Sequence, residues 1–160
     1  MPLAARLDAL IIIGLIRGIT PPGQTHAQSM AYFAEAMRAC AETAQAAGAR
    51  LAIEPLNRYE TDLIHTIAEG LAFLETVGMN NVGLLLDTFH MNIEEPSIGE
   101  SIEAAISPAD GGRPADGGCL VHFHVADSNC YTGYVSGEFM PQPDAETAAA
   151  RAITHLRSLG

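Results

Sequence analysis

The sequence predicts an α/β fold: about five parallel strands covered by outer helices. Three observations predict it. Short, continuous apolar runs recur that are too short for helices and suit strands buried on both faces. Stretches of helical period lie between them, and several of these end at glycine. The two kinds of segment alternate, and repeated βα units close a parallel sheet with helices outside it.

The elements follow in order. ALIIIGLIRG (9–18) is the first strand, and ITPPGQT (19–25) is a loop. From Gln28 to Ala47, apolar residues recur at Met30, Phe33, Met37, Cys40 and Ala44, a helical spacing that stops at Gly48. RLAIEPL (50–56) is a strand ended by Pro55. Thr66 and Glu69 form a capping box, followed by a helical face of Ile67, Leu71, Leu74 and Val77, with Gly78 as its stop. VGLLLDTFH (82–90) is the third strand. Ser97 and Glu100 form a second capping box before Ile98, Ile102 and Ile106. SPADGGRPADGG (107–118) is a surface loop with a near-repeat. CLVHFHVADSN (119–129) and YVSGEFM (134–140) are strands. Asp144 caps a last helix with Ala149, Ile153, Leu156 and Leu159 on its apolar side. No linker is evident, so residues 1–160 are expected to form one domain. The last two strands are joined too tightly for an ordinary parallel crossover, which needs roughly a dozen residues or more.

Bulk properties exclude several classes. A formal net charge of −11 repels phosphate backbones and anionic lipid, so neither a nucleic acid nor a membrane is an expected partner. Cys40, Cys119 and Cys130 are odd in number and widely spaced, which gives neither a disulfide framework nor a zinc ribbon. They read as reduced thiols of a cytoplasmic protein. The apolar run LIIIGLI (10–16) is too short to span a bilayer, and Asp8 and Arg17 beside it fit a secretory signal badly.

Four strands carry acidic or imidazole groups near their C-terminal ends: Glu54 with Glu60 after it, Asp87 with His90, His122 with His124, and Glu138. In parallel sheets these ends form the ligand face. Three carboxylates and an imidazole suit Mn²⁺, Mg²⁺, Co²⁺ or Zn²⁺, and a dication removes the repulsion among them. Each residue also has an ordinary explanation. A single acid at a strand end commonly caps a helix, and one of the two histidines could be a hydrogen-bonded core residue. Glu94 and Glu95 would favour the start of the next helix, and Cys130 would be inert. Function rests on the recurrence at four strand ends.

IEPLNRYET (53–61), VGLLLDTFHMNIEE (82–95), VHFHVADSN (121–129) and YTGYVSGEFMP (131–141), in that order, resemble the ketose 3-epimerases of the xylose isomerase-like TIM-barrel superfamily. The tail FMPQPDAETAAARA is similar to a branch that includes a 5-keto-gluconate epimerase. The resemblance implies an incomplete TIM barrel, matching strands four to eight of the family barrel and lacking the helix between the last two. It implies metal ligands at Glu54, Asp87, His124 and Glu138, with Mn²⁺ preferred and Co²⁺ or Mg²⁺ as alternatives. Glu54 and Glu138 become the two catalytic bases, and Glu60 and His90 the substrate contacts. The implied reaction is epimerisation or isomerisation of a ketose or keto-sugar acid at C3 through an enediolate.

Two departures accompany the resemblance. The family barrel has eight strands and ~250 residues, so three βα units are expected to be absent. Cys130 stands where the family has a substrate-binding arginine. A fragment, an internally deleted product and a homo-oligomer that completes the barrel are therefore open arrangements. Open with them are an active enzyme and an inactive remnant. A third reading, a metal-dependent nuclease of the superfamily, is disfavoured by the acidic charge.

Overall fold

The computed structural model describes residues 1–106, 119–124, 135–136 and 154. The chain divides into two compact units, Met1–Val121 and His122–Gly160.

In the first unit a short helix α1 (Pro2–Arg6) precedes β1 (Leu10–Ile13). Then come a 3₁₀ turn at Leu15–Arg17, α2 (His26–Ala46), β2 (Arg50–Ile53), α3 (Ile67–Val77), β3 (Val82–Asp87), α4 (Thr88–Glu94) and α5 (Ile98–Ile106). β4 (Leu120–His124) begins in this unit and ends in the second, where β5 (Val135–Ser136) follows. β1, β2 and β3 are parallel, with Ile13 opposite Ile53 and Ile53 opposite Leu84. The Leu84 N–H donates to the Cys119 carbonyl at 2.7 Å, which brings the residues entering β4 beside β3. A side chain on Gly83 could not fit there: its Cβ would lie 2.9 Å from the Cys119 carbonyl oxygen and against Val121. In the second unit β4 and β5 are also parallel, with Phe123 opposite Val135 and His124 opposite Ser136.

The expected α/β class with parallel strands and outer helices is what the chain adopts. Leu51, Ala52, Ile53, Leu84, Leu85 and Leu86 are all buried, so β2 and β3 are covered on both faces. On the helical side, the rings of Phe33 in α2 and Phe73 in α3 stack 4.6 Å apart. The Thr66/Glu69 capping box is complete, and Gly78 ends α3 in the left-handed conformation at φ 69°. Thr25 and Gln28 form a capping box on α2 that the sequence reading passed over.

Several boundaries differ from the expectation. The first strand spans only 10–13, because the chain turns at Gly14 and Arg17 folds back onto carbonyl oxygens of this unit. It is half-exposed rather than buried on both faces. Among the described residues β1 pairs on one side only, with β2, and Ile16 just beyond it is 83% exposed. The third strand stops at Asp87 rather than continuing to 90, because Asp87 caps a further helix, α4. The 107–118 loop, Glu138, Cys130 and the expected helix after Asp144 (Thr154 apart) lie outside the described residues.

Candidate active site

The C-terminal ends of two adjacent parallel strands build the site. Glu54 follows the last residue of β2, and Asp87 ends β3. His90 sits in the first turn of α4, which Asp87 starts by accepting the Phe89 N–H on Oδ1 at 2.8 Å. The ordinary explanation for a strand-end acid, a helix cap, therefore holds at Asp87. Glu54, Asp87 and His90 each offer a ligand atom, and these atoms lie within 4.8 Å of one another. His90 Nε2 is 3.8 Å from Glu54 Oε1. Two carboxylates and an imidazole, all buried or nearly so, fit a hard or borderline divalent cation. Glu60 joins through Asn57, whose Nδ2 donates to Glu60 Oε1 at 2.8 Å and lies 2.9 Å from His90 Nδ1.

Of the sequence-derived site residues, the structure thus brings together Glu54, Asp87, His90 and Glu60. His124 belongs to the second unit. There its ring meets that of His122 edge to face, with centroids 5.3 Å apart, so both rings lie on one side of β4 as their spacing predicts. Burial, and then the neighbouring His124, hold the His122 imidazole below its ordinary pKa.

Three groups were not legible as site residues. Arg17 is the first. Its guanidinium donates to the carbonyls of Glu54 at 2.6 Å, Leu63 at 3.0 Å and Ile64 at 3.1 Å. Burial pushes its pKa down to about 10, against the pull of Glu54 and Glu60. Asn57 is the second. The third is the pair Glu94 and Glu95, which closes α4 instead of opening the next helix. Glu95 accepts the first N–H of α3 at 2.6 Å and the Ser101 hydroxyl at 2.7 Å. Glu94 accepts the Arg58 backbone N–H and its guanidinium, both at 2.7 Å. This ties the loop after β2 to α4.

The last pair yields a pH prediction. Hydrogen bonds from Arg58 hold the Glu94 carboxyl down at about 2, against an ordinary value of 4.5. A carboxyl depressed in the folded state adds stability that is complete above its unfolded pKa. That contribution is lost as pH falls through the folded value. Glu94→Gln should therefore be less stable than the parent at pH 6, with the gap closing between about pH 4.5 and 2. Urea unfolding at a series of pH values measures the gap, and a gap independent of pH contradicts the assignment.

A family model described as the xylose isomerase-like TIM barrel matches residues 1–158. The chain belongs to that family. Its sheet is accordingly part of a TIM barrel, and the barrel is incomplete. The D-psicose 3-epimerase of Agrobacterium fabrum is 40% identical over 129 residues, which are 78% of this chain and 41% of that protein. The L-ribulose 3-epimerase of Mesorhizobium japonicum is 40% identical over 118 residues, 73% of this chain and 36% of that one. The chain thus spans about two fifths of the length of these curated relatives. A crystal structure of D-psicose 3-epimerase in the presence of D-fructose superposes with a TM-score of 0.66 at 32% identity, covering 86% of this chain and 52% of the other. An AP endonuclease of family 2 from Brucella melitensis has a TM-score of 0.66 at 20% identity, a likeness of fold alone. No helix among the described residues is long and apolar enough to cross a membrane.

Proposed function

We propose that this chain carries the site of a metal-dependent ketose 3-epimerase. The observation that supports this reading best is the convergence of Glu54, Asp87 and His90 at the ends of neighbouring parallel strands. Relatives named as psicose and ribulose 3-epimerases support it independently. Glu54 and Asp87, with His124 and Glu138, would hold a divalent cation, for which Mn²⁺ is preferred over Co²⁺ and Mg²⁺. When bound there, it would supply fixed positive charge against the negative charge of an enediolate. Glu54 removes the proton from C3 of the ketose, and the C–H electron pair passes into the C2–C3 enediolate. Glu138 returns a proton to C3 from the opposite face, so the centre inverts without a covalent intermediate. Glu60 accepts from a sugar hydroxyl and His90 contacts a sugar oxygen. The substrate is a ketose or keto-sugar acid, and the setting is the cytoplasm.

The test is solvent exchange. Folded protein loaded with Mn²⁺ and given D-fructose in D₂O should incorporate deuterium at C3 and form the C3 epimer, both read by NMR. A folded, metal-loaded sample that does neither overturns the reading.

A further inference from the structure

We infer that Asn57 is a positioning residue that fixes His90 as its Nε2–H tautomer and holds Glu60 beside it. The imidazole then presents a donor, not a lone pair, to the cluster of Glu54 and Asp87.

A backbone N–H only donates, and that of Asn57 points at His90 Nδ1 at 3.3 Å. Nδ1 must therefore carry a lone pair, and a neutral imidazole then has its proton on Nε2. The side-chain amide agrees, and its orientation is fixed by two further partners. Asn57 Oδ1 accepts the Tyr59 N–H at 3.0 Å, and Nδ2 donates to Glu60 Oε1 at 2.8 Å. Turning the amide over would set a carbonyl oxygen against a carboxylate and an NH₂ against an N–H. Nδ2 thus stays the group 2.9 Å from His90 Nδ1, a second donor to the same lone pair. Asn57 is 2% exposed, so water does not compete for its two bonds to His90.

The consequence separates two roles for His90 that proximity alone leaves equal. Metal ligation through Nε2 needs a lone pair there, while Nδ1 must keep its own for the Asn57 N–H. That species would be an imidazolate. His90 is instead a donor poised 3.8 Å from Glu54 Oε1, suited to an oxygen bound between them. One buried amide aims this donor and the Glu60 acceptor together. The use of that donor on a sugar oxygen rests on the function proposed above; the tautomer does not.

Long-range ¹H–¹⁵N spectra of the histidine rings test this on the full chain, metal-free and with diamagnetic Mg²⁺. The His90 signals are assigned by their loss in His90→Gln. The expected pattern is Nε2–H with an unprotonated Nδ1. Asn57→Asp sets an acceptor where Nδ2 now donates, in competition with the backbone N–H for Nδ1, so a population of rings protonated at Nδ1 should appear. Exchange turnover should then fall at least about a hundredfold, as when a catalytic imidazole is held in the wrong tautomer. Asn57→Ala keeps the backbone donor; it should retain the Nε2–H pattern and raise KM more than it lowers kcat, because Glu60 is released. A wild-type ring protonated at Nδ1 overturns the inference, whatever Asn57→Asp does. So does an Asn57→Asp ring identical to the parent's. A wild-type Nε2–H ring in a protein that exchanges no sugar proton overturns the enzymatic reading and leaves this one standing.

Discussion

Asp87→Asn should melt above the parent without metal and below it in saturating Mn²⁺. The crossing follows from opposed terms. Glu54 and Asp87 place carboxylate oxygens within 4.8 Å. Two unit charges at that distance repel by about 3 kcal/mol at an effective dielectric of ~20. Arg17 lies close enough to Glu54 and Glu60 for both to act on its charge, so the Glu54 side is partly compensated. Asn at position 87 removes the repulsion but keeps the cap on α4, since Asn and Asp are about equal as N-caps. Asp87→Ala would also lose the Phe89 N–H bond, at a further cost of about 1 kcal/mol. With metal at roughly 1,000 times its Kd the parent gains about 4.1 kcal/mol, which exceeds the repulsion and which the Asn variant forgoes. Glu54→Gln removes a ligand and a base together, so C3 exchange should fall by about 10³-fold or more. Thermal melts with and without Mn²⁺ and the deuterium assay check both. Parallel metal responses in the parent and Asp87→Asn would show that Asp87 holds no cation.

What was legible in the sequence was local or periodic. The Thr66/Glu69 box is two residues at a fixed offset, and the all-buried LLL of β3 announces a strand covered on both faces. The convergence of Glu54, Asp87 and His90 was legible too, because parallel strands must bring their C-terminal ends together. α4 was not. Seven residues give less than two periods of pattern, and Thr88 and Phe89 after Asp87 suit a strand as well as a helix. The exchange of partners between distant segments was not legible either. Arg58 meets Glu94 36 positions on, and Asn57 meets His90 33 positions on. Nothing in the spacing of those residues says which nitrogen of His90 is taken. Arg17 served only as a charge ill-suited to a secretory signal. Its role depends on carbonyls that come within reach only when β1, β2 and the loop to α3 are assembled.

That assembly makes Arg17→Ala the substitution with the largest expected cost in stability. The guanidinium bridges the Ile13 carbonyl at the end of β1 and the Glu54 carbonyl after β2, at 3.3 and 2.6 Å. Its other nitrogens hold the carbonyls of Leu63 and Ile64. Ile64 is held at φ 59°, a conformation that a β-branched residue enters only at a cost of about 1–3 kcal/mol. The charge itself is not the stabiliser. A cation whose pKa is depressed on folding opposes the fold while it is charged, and that penalty fades only as pH rises above about 10. The stabilisation comes from the fork of N–H donors on those carbonyls. Removing the guanidinium leaves part-buried carbonyls without their donor, at about 1–3 kcal/mol for each that water cannot reach. Arg17→Lys keeps the charge but not the planar fork, and should recover less than half of the loss. Urea unfolding should show a lower midpoint at an unchanged slope. KM should rise as well, since the released segment carries Asn57 and Glu60. An Arg17→Ala midpoint equal to the parent's would mean that the strand ends and the strained Ile64 are held by something other than this side chain.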